Sequence, residues 1–341
     1  MSKSFRVAVV GATGLVGETM IQVLQERHFP VSELFALAST RSLGKSLEFA
    51  GKRLAVQELA EFDFARADIG LFSAGSEISA EFAPKAAAAG CIVIDNTAQF
   101  RYDDDIPLVV PEVNVHAIAQ YRDRGIIANP NCSTIQMVVA LKPIYDAVGI
   151  ERINVATYQS VSGAGREAIE ELVGQTAALL NGKPIGEPRI VAKQIAFNCI
   201  PQIDKFQDNG YTKEEMKLLW ETQKIMEDTS IRVNATAVRV PVFYGHSEVV
   251  HIETRRKLSA PEARALLERA PGVTVLDERV PGGYPTAVTE AANHDTVYVG
   301  RIREDMSHER GLDLWIVSDN VRKGAATNSI QIAEVLVREY L

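Results

Sequence analysis

Residues 7–10, Val-Ala-Val-Val, form an unbroken apolar run that stops at Gly11-Ala12-Thr13-Gly14-Leu15-Val16-Gly17. Met20, Ile21, Val23 and Leu24 then recur with helical spacing. A short apolar strand without alternation is buried on both faces, as in a parallel sheet. Glycines between such a strand and a helix allow close approach of a pyrophosphate, which the helix N-terminus then holds. This order predicts a dinucleotide-binding half built on an open α/β sheet. The spacing is GxxGxxG rather than GxGxxG, and it is the strand–helix context that gives the glycines weight. Gly11, Thr13, Gly14, Leu15, Val16 and Gly17 are the expected cofactor contacts.

The second strand, residues 34–38, runs into Ser39-Thr40-Arg41-Ser42. A site for NAD normally places an acid there to bind the ribose hydroxyl. Glu33 stands at the wrong end of this strand, and Ser39, Arg41 and Ser42 occupy the position instead. That favours a 2′-phosphate and hence NADP; the alternative is a polar surface turn. Strands recur at 69–73 and 91–95 around an Ala-rich helix over 80–89, and Ser73 and Gly75 are small enough for a cofactor to lie close. Arg101 follows past a strand's carboxyl end, where such sheets bind ligands; taken singly, it reads as a surface arginine. Residues 107–114 read as a loop.

An apolar strand ending at Ala128 meets a Pro-containing turn, Asn129-Pro130-Asn131, and a helical pattern starts after Cys132-Ser133-Thr134. A thiol in the first turn of a helix lies where free N–H groups and the dipole favour an anion. The thiolate is the form that attacks carbonyl carbon. A cysteine is also a small core hydrophobe, and local context leaves the two readings balanced. Further on, a strand over 153–159 leads to Ser160-Val161-Ser162-Gly163-Ala164-Gly165 and a helix over 166–180. Residues 211–226 read as a charged amphipathic helix whose Glu214 and Lys217 share a solvated face. Residues 232–242 and 247–253 look like two strands joined by a short turn at Phe243-Tyr244-Gly245-His246. One straight strand would send Arg239 and His246 to opposite faces, whereas a turn at Gly245 can aim both into one cavity. A helix over 261–270, strands over 296–302 and 312–317 and a closing helix complete an α+β second domain.

The 341 residues suffice for two domains, and 46% hydrophobic with 23% charged residues is globular. A net charge of −8 argues against a nucleic-acid binder. Three widely spaced cysteines do not read as a disulfide framework, and six scattered histidines lack zinc-like spacing, so no metal centre is expected. Neither a signal-peptide pattern nor an 18-residue apolar window is present, which predicts a cytoplasmic protein without a membrane partner. A cofactor half, a cysteine at a helix start and a distant histidine together suit aldehyde oxidation or reduction through a thioester.

With Asn129-Pro130-Asn131-Cys132-Ser133-Thr134, Gln159-Ser160-Val161-Ser162-Gly163-Ala164-Gly165, Arg239-Val240-Pro241-Val242, Gly245-His246-Ser247-Glu248 and Asp319-Asn320-Val321-Arg322-Lys323-Gly324-Ala325-Ala326, the chain resembles the bacterial aspartate-semialdehyde dehydrogenase family over its whole length. The resemblance implies Cys132 as nucleophile, His246 as general acid/base and Gln159 orienting the thioester. It implies Arg239 on the substrate carboxylate, Glu214 on the amine, Arg101 and Lys217 on phosphate, and Ser162, Gly163 and Asn320 on the cofactor. The implied substrates are aspartyl 4-phosphate, aspartate semialdehyde and phosphate, in lysine, threonine, methionine and isoleucine synthesis. The implied architecture is a Rossmann-like domain of residues 1–131 and 320–341 and a catalytic and dimerisation domain of residues 132–319. Assembly would be a homodimer, with a dimer of dimers as the larger form. N-acetyl-γ-glutamyl-phosphate reductase shares the plan but resembles Pro-Gly-Cys at the nucleophile, where this chain has Asn131. A non-catalytic NADP-binding protein would need only the first domain.

Overall fold

A computed structural model describes residues 3–341, which divide into two compact units. One holds the residues up to Asn131 together with Ala325–Leu341; the other is Cys132–Gly324. Asn320 therefore falls in the second unit.

In the first unit, β1 (Phe5–Val10) leads through the glycine turn into α1 (Leu15–Glu26). There follow β2 (Val31–Ala38), β3 (Ser46–Phe49), β4 (Lys52–Glu58), β5 (Ile69–Phe72), α2 (Ser76–Ala88) and β6 (Ile92–Asp95). The short helices α3 (Pro111–Asn114) and α4 (Tyr121–Arg124) precede β7 (Ile126–Ala128). Among the described residues these strands form a seven-stranded sheet ordered β3-β4-β2-β1-β5-β6-β7. All neighbours are parallel except the edge strand β3, which is antiparallel to β4. Val7 and Val9 have no exposure, as a central parallel strand demands. Residues 107–114 are not wholly loop: Pro111 starts a helical turn at its N-terminal position, where the missing N–H costs nothing.

The second unit opens on α5 (Cys132–Val148), followed by β8 (Ile150–Gln159), α6 (Arg166–Leu180) and α7 (Lys213–Ile225). Then come β9 (Arg232–Arg239), β10 (His246–Thr254), α8 (Ala260–Leu267), β11 (Val273–Val275), β12 (Val297–Glu304) and β13 (Gly311–Ser318). Their sheet is ordered β11-β12-β13-β10-β8-β9. This corrects the expected pairing of the strands on either side of Gly245. β8 lies between β9 and β10, parallel to the first and antiparallel to the second. Contiguity in sequence made a hairpin the local reading, but strand partners are a tertiary choice. Pro241, lacking a ladder donor, stands just past the end of β9. The connecting segment crosses the end of β8, with Val240 N–H on the Gln159 carbonyl (2.9 Å) and Val161 N–H on that of Val242 (2.9 Å).

Helices α5, α7 and α8 pack on one face of this sheet. The other face carries Tyr158 and Trp315, both incompletely buried, with ring centroids 5.8 Å apart. α7 starts at a full capping box, in which Thr212 accepts from Glu215 N–H and Glu215 accepts from Thr212 N–H.

The last helix, α9 (Thr327–Glu339), returns to the first unit. It buries Ile330, Ile332, Ala333 and Leu336 in the core that holds Met20, Val23 and Leu24 of α1. Arg27 clasps Glu334 through two bonds of 2.7 Å, and Asn328 Nδ2 donates to Asn129 Oδ1 at 2.7 Å.

Candidate active site

β8 ends at Gln159, and the next peptide is gripped from both sides. Arg239, the last residue of β9, donates from Nη1 to the Ser160 carbonyl at 2.7 Å. His246, the first residue of β10, accepts the Ser160 N–H on Nδ1 at 3.1 Å. Because Nδ1 is the acceptor, the neutral ring carries its proton on Nε2, a tautomer assigned from this hydrogen bond. Nε2 is buried and has no partner. Burial, and then the charge of Arg239, push the His246 pKa down to about 3, so the imidazole is neutral at physiological pH.

A polar network backs this ring. Asn320 Oδ1 accepts the Gly245 N–H (2.9 Å) and lies 3.0 Å from Ser160 Oγ, while its Nδ2 donates to Ser162 Oγ (3.0 Å). A Cβ added at Gly163 would stand 2.9 Å from Arg239 Nη1 and 3.3 Å from His246 Nε2. Glycine keeps open the space beside both groups.

Gln159 Nε2 donates to Glu214 Oε1 (3.1 Å), and Glu214 Oε2 meets Lys217 Nζ (2.9 Å), which also reaches Asp204 (3.1 Å). Of the pair read as solvated, Glu214 is thus buried, only 4% exposed, and Lys217 is partly buried. Burial lowers the Arg239 pKa against the opposing pull of Glu214 and Cys132, so both lie within its electrostatic reach. Cys132 is half-buried, forms no disulfide and is the first residue of α5. A Cβ at Gly324 would fall 2.7 Å from Cys132 Cβ, so the Asp319-to-Ala326 segment passes against the nucleophile candidate only because it carries glycine there. The second unit therefore brings together Gln159, Glu214, Lys217, Arg239 and His246, and links Cys132 electrostatically to Arg239.

Arg101 belongs to the first unit. It is buried, its Nε on the Thr97 carbonyl and its Nη2 on the Asn96 carbonyl, each at 3.0 Å. Asp95 anchors the same loop by accepting from Ser79 Oγ, Thr97 N–H and Thr97 Oγ1.

The first unit also contains a cleft of about 490 Å³ lined by Gly11, Thr13, Gly14, Ser39, Arg41, Ser42 and Ser73. Gly14 precedes α1 without any side-chain cap, which leaves the first helical N–H groups free for an anion. Gly11 has φ +82°, and a Cβ on Gly17 would lie 2.2 Å from the Gly11 carbonyl oxygen. Free donors and missing side chains suit a dinucleotide pyrophosphate. Leu15, Val16 and Gly17 form the first turn of α1, and Gly75 precedes α2. Ser162, Gly163 and Asn320 stand in the second unit, around His246 and Arg239. Glu58 also lines the cleft, and sequence reasoning missed it because strand β4 was not recognised. The Ser160 peptide was missed as well; its only signal was adjacency to Gln159.

The sequence matches the family described as semialdehyde dehydrogenase, NAD binding domain, over residues 6–121, and semialdehyde dehydrogenase, dimerisation domain, over residues 141–323. It is 64% identical to an aspartate-semialdehyde dehydrogenase of Legionella pneumophila, covering 100% of this chain and 98% of that protein. The fold superposes on the crystal structure of Vibrio cholerae aspartate semialdehyde dehydrogenase II complexed with ASA, with TM-score 0.98, 63% identity and full coverage of both chains. It also resembles the Candida albicans enzyme solved with NADP, at TM-score 0.75, 26% identity and 98% coverage of each chain.

Proposed function

The chain belongs to the semialdehyde dehydrogenase family, and on that premise we propose that it interconverts L-aspartyl 4-phosphate and L-aspartate 4-semialdehyde with NADP as cofactor. The observation that carries the reading is the Ser160 peptide held between Arg239 and His246, in a unit that begins with Cys132. In the reductive direction Cys132 attacks the acyl carbon of aspartyl 4-phosphate; phosphate leaves and a thioester remains on the enzyme. NADPH, when bound, would supply a hydride to the thioester carbon; the C–S bond then breaks, giving the aldehyde and returning the Cys132 thiolate.

The chain's own groups position and stabilise. The His246 Nε2–H serves as the hydrogen-bond donor towards the reacting oxygen and stabilises the charge that develops there. Gln159 orients the acyl group. Arg239 offers a guanidinium to the α-carboxylate, with Glu214 for the amine and Lys217 and Arg101 for phosphate. Ser162, Gly163 and Asn320 in the second unit, and the cleft in the first, supply the proposed cofactor contacts. Arg41, Ser39 and Ser42 on the cleft wall support a 2′-phosphate and therefore NADP, with Glu58 as the opposing charge. The incompletely covered sheet face around Tyr158 and Trp315 supports a homodimer, consistent with the dimerisation-domain match. Among the described residues no helix is long and apolar enough to cross a membrane, and a cytoplasmic biosynthetic role fits the relatives.

The test is NADPH formation from L-aspartate 4-semialdehyde and NADP, with and without phosphate, for the native protein and Cys132→Ala. Phosphate-dependent activity absent from the variant is expected. Turnover of N-acetylglutamate semialdehyde alone, or NADP binding with no turnover of either aldehyde, would overturn the reading.

A further inference from the structure

Glu248 has no task in the reaction above, yet the fold leaves it no exposure at all. It lies two residues after His246 on β10, so the two side chains leave the same face of the strand. Thr157 of β8 and Ile316 of β13 flank it in register. Neither of its carboxyl oxygens has a partner in hydrogen-bond geometry among the described residues, and the one polar side chain that bears on it as a hydrogen-bond donor is Gln136. The charged group acting on it is Glu214 of α7, while α5 presents the uncharged Gln136. Burial holds its pKa well above the usual carboxylate range and Glu214 adds to this, against a hydrogen bond from the Gln136 side chain that favours the charged form and that burial outweighs. An ionised carboxylate in such a place would be desolvated, unpaired and repelled.

Gln136 carries the matching vacancy. Its amide oxygen is also buried without a partner. Gln136 lies one turn after Cys132 on the same face of α5, and its Nε2 faces the His246 carbonyl at 3.4 Å. A carboxylic acid beside an orphan amide oxygen completes it by donating its O–H; a carboxylate cannot.

We propose that Glu248 is a positioning residue working as a neutral carboxylic acid, which fixes the Gln136 amide and thereby ties the helix of the nucleophile to the strand of the proton-carrying histidine. This rests on the roles given above to Cys132 and His246.

Infrared difference spectra between the native protein and Glu248→Gln at neutral pH should show a protonated-carboxyl C=O stretch that shifts in D2O and is absent from the variant. Glu248→Gln still offers an N–H donor, so kcat should stay within about threefold, whereas Glu248→Ala and Gln136→Ala should each lower kcat about 10- to 100-fold with little change in KM. The double alanine variant should be no worse than either single one. The native enzyme should lose kcat at alkaline pH as Glu248 ionises, and Glu248→Gln should not. A carboxylate band in place of the acid band, or a Glu248→Gln variant as impaired as the alanine one, would overturn the proposal. If Glu248→Ala does not fold, the infrared spectra, Glu248→Gln and Gln136→Ala decide it. A native protein inactive on aspartate semialdehyde would refute the functional reading, while the infrared result would still report the state of Glu248.

Discussion

His246 keeps one nitrogen occupied by a backbone N–H and the other buried without a hydrogen-bond partner among the described residues, and this limits which protons it can move. A ring whose pKa is about 3 does not gain a proton near neutrality. The pH profile of kcat should therefore lack a limb at the ordinary histidine value of about 6.5. His246→Asn should lower kcat by about 100- to 10,000-fold without creating one. An acid limb near 6.5 that vanishes in His246→Asn would show the ring to be titrating and the assigned tautomer to be wrong. The linked effect on stability has a definite sign. Below about 6.5 the unfolded chain takes up a proton that the folded ring refuses, so the fold loses stability as pH falls towards 3.

At the scale of elements, the site depends on a short connection aimed by one glycine. Gly245 has φ +85°, and a Cβ there would meet the Ala287 carbonyl oxygen at 2.8 Å. Gly245→Ala should cost about 1–2 kcal/mol for the left-handed backbone alone, more for the contact, and should lower kcat because His246 is the next residue. Denaturant unfolding and kcat check this; an alanine variant with unchanged midpoint and turnover would show that the turn does not aim the histidine. β1, its glycine turn and α6 were legible because periodicity and punctuation there are local. β3 and β4 were not: Ser46–Phe49 and Lys52–Glu58 form a hairpin whose one apolar run, Leu54-Ala55-Val56, is too short to signal a strand. The strands flanking Gly245 were visible as strands, but that β8 slips between them is decided by packing. Glu248 was legible as part of a motif, but with His246 read as part of the turn their shared face on β10 was not. What local sequence could not show was the burial that makes an acid there neutral, or that Glu214 and Lys217 face inward.

For the whole molecule, the homodimer proposed above would use the sheet face of the second unit that carries Tyr158 and Trp315. Tyr158 there is 39% exposed, so a charge at this position is tolerable in a lone subunit and intolerable in an apolar interface. Tyr158→Glu should convert a dimer to monomers in analytical ultracentrifugation while the circular dichroism spectrum is retained; a variant that stays dimeric would place the interface elsewhere. The division of the chain has a further consequence, for the order in which it can mature on the ribosome. Domains commonly fold as they emerge, N-terminal one first. Here the helix that seals the core of the first unit is α9, which follows the whole second unit in the chain, while the second unit is one continuous stretch. The opening half of the polypeptide must wait, with the α1 surface that α9 covers still bare, while the middle reaches its native state. The nucleotide-binding unit closes only once α9 has emerged, after the whole of the second unit.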